Sequence, residues 1–340
     1  MPQFINKIVF QPPLDKNGMA YVSLLQQKAR MAYTTKKGSA DRVYYIHLES
    51  PVPHDTDGLV LLYSHGNAEH LGTCYYVLDW LRNSLKVAVV GYDYCGYGFS
   101  GFPDASVYTP PTEDAVYSDA DAIYDCVTGT LGFAAHRVVL FGRSVGGGPT
   151  CYLAEKHHNE IAGVVLQSTF TSCLNVVSEC CLPTLFAFWD LFKNVQRMEK
   201  ITGCPILFLH GTLDNVVPGR CSEKLLKVAE TYRRRKMKHA ERKQARRPGR
   251  AHPPAAAEPS NGASQRTFST SDVATRLANE DGLRCYADGM QVAQTELEGI
   301  GLFCQWFDGC SHNDLEKNEK RLFVATISRF LLFCEKTRPL

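Results

Sequence analysis

The stretch Val138-Val139-Leu140-Phe141-Gly142-Arg143-Ser144-Val145-Gly146-Gly147-Gly148 decides how the rest of the chain is read. Four apolar residues, two of them β-branched, read as a strand, and a helical pattern follows over 145–158. Between them lies G-x-S-x-G. Glycines two before and two after Ser144 let the backbone turn sharply, which leaves the serine exposed at a strand-to-helix corner. A serine held there is a candidate nucleophile. The unpaired amides at the start of the next helix favour negative charge developing beside it.

Working outward, apolar β-rich runs alternate with longer helical patterns. Strands are expected at 42–49, 59–64, 87–92, 137–141, 163–167, 205–210 and 302–307, and helices at 70–83, 113–130, 145–158, 221–232 and 315–334. Nearly continuous apolar strands separated by helices predict an α/β class. The expectation is one domain over 1–340, with a mostly parallel central sheet covered by helices on both faces. Two segments interrupt the alternation. Residues 171–200 form a helical, aromatic-rich excursion containing CCLPTLFAFWDLF, placed where a small cap over a site would sit. Residues 233–294 read as a long low-complexity insertion, basic at first and then Pro/Ala/Ser-rich, whose first half is expected to be disordered.

Of 340 residues, 44% are hydrophobic and 21% charged, which suits a globular protein with a sizeable core and excludes a fibrous chain. The formal charge of +2 is an average of unlike parts. Residues 233–250 hold ten Lys/Arg against Glu241, and the remainder holds 27 basic and 34 acidic residues, a net of −7. One basic block on an acidic body is not a nucleic-acid-binding surface. Thirteen cysteines without a C-x-x-C pair suggest neither a zinc ribbon nor a redox site. With no secretory apolar core in MPQFINKIVF, a cytoplasmic setting is expected. No run approaches the ~18 apolar residues of a membrane span.

A serine at such a corner needs a base and an acid, which on this architecture follow in the order Ser, Asp/Glu, His. The strand at 205–210 ends in Gly211-Thr212-Leu213-Asp214, placing Asp214 at the same sheet edge as Ser144. The strand at 302–307 leads into Asp308-Gly309-Cys310-Ser311-His312, and His312 alone among the histidines lies beyond Asp214 and directly after a strand. Asp308 and Asp314 are the fallback acids. Oxyanion donors are expected from the Val145 amide and from the loop His65-Gly66-Asn67-Ala68, through the amide of Asn67 or of Ala68. Tyr94, in Tyr92-Asp93-Tyr94-Cys95-Gly96-Tyr97-Gly98, and Phe188 and Trp189 of the cap are candidates to line the substrate site. No metal or cofactor is called for.

With these residues in place, the chain resembles the α/β-hydrolase superfamily. Within it the chain is similar to the α/β-hydrolase-domain protein 17 family, related to the Bem46-like serine hydrolases. The resemblance rests on Lys7-Ile8-Val9-Phe10-Gln11-Pro12-Pro13, His65-Gly66-Asn67-Ala68 and Tyr92 to Gly98. It also rests on Pro111-Thr112-Glu113, Phe188-Trp189-Asp190-Leu191-Phe192 and Ser311-His312-Asn313-Asp314. It implies an α/β-hydrolase fold, with Ser144, Asp214 and His312 as nucleophile, acid and base. The implied activity is a thioesterase that removes palmitate from membrane-bound proteins. A carboxylesterase or lipase on small or lipid esters, and a catalytically silent scaffold, are the alternatives. The family's N-terminal palmitoylated cysteine cluster has no counterpart in residues 1–40, so weak peripheral membrane contact through the basic block is the corresponding expectation.

Overall fold

The computed structural model describes residues 6–7, 9–13, 31–52, 58–101, 110–174, 190–245 and 294–337. Among these residues the strands are β1 (Met31–Thr35), β2 (Arg42–Leu48), β3 (Val60–Ser64), β4 (Ala88–Tyr92), β5 (Val138–Arg143), β6 (Gly163–Gln167), β7 (Ile206–Gly211) and β8 (Leu302–Phe307). They form one sheet in the order β1-β2-β4-β3-β5-β6-β7-β8. The β1–β2 and β2–β4 pairs are antiparallel, and every other pair is parallel.

The period of two along each strand divides the core into two layers. Val60, Leu62, Val138, Leu140, Val164, Leu166, Ile206 and Phe208 face one side. There they meet α3 (Glu113–Asp125), α4 (Gly147–His157) and the first turns of α6 (Arg220–Ala245). Leu61, Tyr63, Val139, Phe141, Val165, Leu207 and Leu209 face the other. They pack on α1 (Leu71–Leu85) and α9 (Lys320–Thr337). Each such side chain contributes about 1.5–3 kcal/mol on burial, so strands this apolar are stable only when covered on both faces. Shorter helices complete the set: α2 (Gly98–Gly101), α5 (Asn194–Met198), α7 (Gln294–Glu298) and α8 (Leu315–Asn318). The architecture is the α/β-hydrolase fold expected from the sequence.

Three details depart from the sequence expectation. The partly exposed edge strand β1 had no clear signal, because only one of its faces is half covered. The helix expected over 315–334 is broken at Glu319 into α8 and α9. The third concerns the insertion. The helix expected to stop at 232 runs to Ala245, so residues 233–245 are helical and not disordered. Arg, Lys, Ala, Glu and Gln are all good helix formers, and low complexity concealed that propensity. Residues 246–293 lie outside the described residues, as do 175–189, the middle of the expected cap.

Arg233 explains why the helix keeps its course past 232. It is 5% exposed. Its guanidinium donates to the Ile300, Gly301, Ile201 and Cys204 carbonyls just ahead of β7 and β8. Burial, only slightly opposed by Cys204, pulls its pKa down to about 10. Replacing it leaves buried carbonyls without donors, so Arg233→Ala is expected to cost about 3 kcal/mol in urea unfolding. Arg233→Lys, which keeps a charge but not the fork, should recover only part of that loss.

Candidate active site

The site is built where the parallel strands end. Ser144 follows β5 directly, at φ +52°. A non-glycine residue there is strained, and the strain is held by glycines that admit a close backbone approach. A Cβ on Gly146 would stand 2.1 Å from the Ser64 carbonyl oxygen, and one on Gly142 would stand 2.6 Å from the Gly146 oxygen. Both glycines of G-x-S-x-G are therefore required by contact. Ser144 is partly exposed while its neighbours are buried.

The loops after β7 and β8 bring the other two residues to it. The Ser144 Oγ lies 2.9 Å from His312 Nε2, and His312 Nδ1 lies 2.7 Å from Asp214 Oδ2. Asp214 is 9% and His312 6% exposed. Burial alone would raise the Asp214 pKa, but bonds from His210, His312 and the Val217 amide hold it well below the usual carboxylate range. An ionised Asp214 can only accept, so Nδ1 of His312 donates to it, and Nε2 accepts from the serine hydroxyl. Deprotonating Ser144 at this position leaves an imidazolium stabilised by a fixed carboxylate. The fallback acids are engaged elsewhere: Asp308 accepts from Thr212 Oγ1 at 3.1 Å, and Asp314 from the Ser311 amide at 2.7 Å and hydroxyl at 2.8 Å.

Beside the serine, the expected oxyanion loop His65-Gly66-Asn67-Ala68 packs on Gly146. Its Asn67 side chain is taken up by other partners. Asn67 Nδ2 donates to the Val9 carbonyl at 2.7 Å, and its Oδ1 accepts from the Gln11 amide at 3.0 Å and the Tyr97 hydroxyl at 2.6 Å. Only main-chain amides of this loop are left as candidate donors. Val145 is the second residue of the short turn Ser144–Gly146, whose first amides have no partner within the turn. Ala68, at φ +54°, shares the strained backbone of the elbow.

Tyr94 does not line the site. It is 1% exposed, its hydroxyl donates to the His65 carbonyl at 2.7 Å, and its ring lies tilted by 34° against His65 with centroids 4.0 Å apart. It supports the loop from beneath. A tyrosine just after a strand is expected to face a ligand at the sheet edge, but the turn at Gly96 and Gly98 folds this one into the core. Phe188 and Trp189 lie outside the described residues. Burial lowers the His65 pKa to about 3, so this ring is neutral and braces its loop through Nδ1 and the Gly66 carbonyl, 2.8 Å apart.

Two contributors had no sequence signal strong enough to find them. His210, the penultimate residue of β7, is 1% exposed. Its Nε2 lies 2.8 Å from the Val217 carbonyl and 3.3 Å from Asp214 Oδ2, and its Nδ1 lies 2.7 Å from Ser222 Oγ. It fixes the loop that carries the acid. Asp93, fully buried, accepts from the Leu71 amide at 2.8 Å and the Phe99 amide at 3.1 Å, with His65 Nε2 3.8 Å away.

The chain has the α/β-hydrolase fold, and its similarity to known proteins supports hydrolase activity. A family model described as serine aminopeptidase, S33 matches residues 55–189, which includes the elbow but ends before Asp214 and His312. The chain is similar to Alpha/beta hydrolase domain-containing protein 17B of Homo sapiens, 28% identical over 232 residues, covering 62% of this chain and 75% of that protein. It is also similar to Alpha/beta hydrolase domain-containing protein 17C of Mus musculus, 34% identical over 157 residues, 46% of this chain and 45% of the relative. Among solved structures, the Pyrococcus furiosus esterase Pf2001 aligns at TM-score 0.54 and 12% identity, over 95% of this chain and 98% of the esterase. Est1E from Butyrivibrio proteoclasticus aligns at 0.53 and 14%, over 90% and 99%. At these identities the structural likeness shows the fold alone.

Burial, partly opposed by the two amides, pushes the Asp93 pKa up to about 7. A carboxyl whose folded pKa exceeds its unfolded value of ~3.9 contributes stability that is full below that value and lost as the pH rises to the folded pKa. The stability advantage of wild type over Asp93→Ala should therefore shrink by about 2–4 kcal/mol between roughly pH 4 and 7, then level off. Urea unfolding across that range measures it. A constant difference would mean that Asp93 is ionised throughout.

Proposed function

We propose that the chain is a serine hydrolase that cleaves acyl thioesters through an acyl-Ser144 intermediate, acting as a palmitoyl-protein thioesterase. The reading is carried by the continuous hydrogen-bonded line from Ser144 through His312 to an ionised Asp214. Ser144 Oγ attacks the thioester carbonyl carbon while His312 Nε2 takes its proton. The tetrahedral oxyanion is held by the Val145 amide and an amide of Asn67 or Ala68. Collapse breaks the carbon–sulfur bond, and the imidazolium returns the proton to the departing cysteine thiolate. Water then attacks acyl-Ser144, giving its proton to His312. A second collapse releases the fatty acid and restores the Ser144 hydroxyl.

The fatty-acyl part of this reading draws on the similarity to the domain-containing protein 17 group and on the rim of the site. Leu213 and Val216, which flank Asp214, are 64% and 51% exposed. Apolar side chains left in water on the loop that carries Asp214 suit an acyl chain or the lipid around it. We place any membrane contact at this rim and not at the basic block. Arg233 is tied to the backbone ahead of β7 and β8, at the opposite edge of the sheet from Ser144. The helix continues ~18 Å beyond it in that direction, which would turn the serine away from a bound membrane. Small or lipid oxyesters are the alternative substrates.

A fluorophosphonate probe should label wild type and leave Ser144→Ala unlabelled; equal labelling of both would refute the nucleophile. On p-nitrophenyl esters and acyl-thioester peptides of graded length, turnover should favour long-chain thioesters. The double variant Leu213→Glu with Val216→Glu should raise KM for long chains by about tenfold and leave short chains near wild type. Preference for short oxyesters in wild type would instead identify a carboxylesterase.

A further inference from the structure

The residue between Gly142 and Ser144 is Arg143, and strand alternation decides where it points. Val139 and Phe141 face the α1/α9 layer, so Arg143, two further on, faces the same way at the strand's end. There the guanidinium, its side chain 7% exposed, enters a cluster of polar groups in which Glu316 is buried, Glu69 is partly buried and Asn313 is exposed. Nη1 donates to Glu69 Oε1 at 2.7 Å, and Nη2 donates to Asn313 Oδ1 at 3.1 Å, with Glu316 Oε1 3.6 Å away. The other oxygen of Glu69 accepts from the Gly66 amide at 2.7 Å, and the other oxygen of Glu316 accepts from Gln167 at 3.3 Å.

One planar group thus joins the loop that carries the candidate oxyanion amides to the loop that carries His312. Glu69 transmits its position to Gly66, one residue ahead of Asn67. Asn313 is the next residue after His312. We propose that Arg143 is a positioning residue that holds the oxyanion loop and the base loop in register across Ser144, so that both are in place when the serine attacks. This rests on the reading of Ser144 as nucleophile and goes beyond it, since it assigns a role to the unspecified position of G-x-S-x-G.

Stability alone is a poor reason for this arrangement. A buried ion pair costs about as much in desolvation as it returns, and a well-packed apolar side chain would stabilise equally. A guanidinium fork does what an apolar residue cannot: it fixes two acceptors on different loops at set angles. Burial opposes the charge, but Tyr63, Glu69 and Glu316 around it outweigh that and keep Arg143 protonated. Loss of the bridge lets two loops shift independently, and displacement of reacting groups by ~1 Å costs on the order of 10²-fold.

The test is a double-variant cycle on the full chain, with Arg143→Met, Glu69→Gln and both together. Each single variant should lower kcat by about 30–100-fold and slow fluorophosphonate labelling of Ser144 equally, with KM within about threefold. The double variant should be no slower than the worse single one, because both break the same bridge. Arg143→Lys, which keeps the charge without the fork, should recover only part of kcat. If Arg143→Met does not fold, Glu69→Gln and Asn313→Ala report on the two ends separately, and each should lower kcat. Folded variants that keep kcat within about threefold, or losses that multiply independently, would overturn the proposal. An unlabelled wild type would instead defeat the nucleophile reading itself.

Discussion

Ser144 sits at φ +52° because the chain must leave a strand and enter a helix within three residues. That strained corner is sustained by Gly142 and Gly146, which let the turn press on its own backbone and on Ser64. The contact with Ser64 is also what sets the oxyanion loop beside the serine, since β3 ends at Ser64 and the loop begins at the next residue. A side chain on Gly146 would separate the two, and Ser144 would no longer lie beside the loop that begins at His65.

The other groups arrive by the same logic of parallel strands. Every strand from β3 to β8 ends at the edge where Ser144 lies, so the loops of Asp214 and His312, 98 positions apart in the sequence, converge there. What each loop then needs is rigidity. Asp214 obtains it from two backbone amides of its own turn and from His210 in β7, and Asp314 holds the base loop through Ser311. Hydrogen bonds that keep Asp214 ionised also keep it aimed, so electrostatics and geometry have one source.

The sheet was legible because its strands are apolar on both faces, and each expected strand lies within two residues of the observed one. Ser144, Asp214 and His312 were legible for a related reason: each follows a strand end, and strand ends are easy to find. Arg143 and His210 were not. Both lie at the ends of apolar strands, where a polar residue reads as a boundary; only the partners Glu69, Asn313 and Asp214, distant in sequence, give them meaning. Tyr94 failed in the opposite sense, because the positive-φ glycines after it turn the segment inward. The helical course of residues 233–245 was hidden by a composition that reads equally as a charged coil, and it was settled by the burial of Arg233.

The central claim is that hydrolysis passes through an acyl group on Ser144. It is tested most directly by mixing enzyme with a palmitoyl-thioester peptide, quenching in acid before the first turnover ends, and mapping the protein by mass spectrometry. The account predicts a palmitoyl adduct on the peptide that contains Ser144, forming in a burst equal to the enzyme present and decaying as fatty acid appears. Steady turnover with no adduct, or an adduct on another residue, would contradict it.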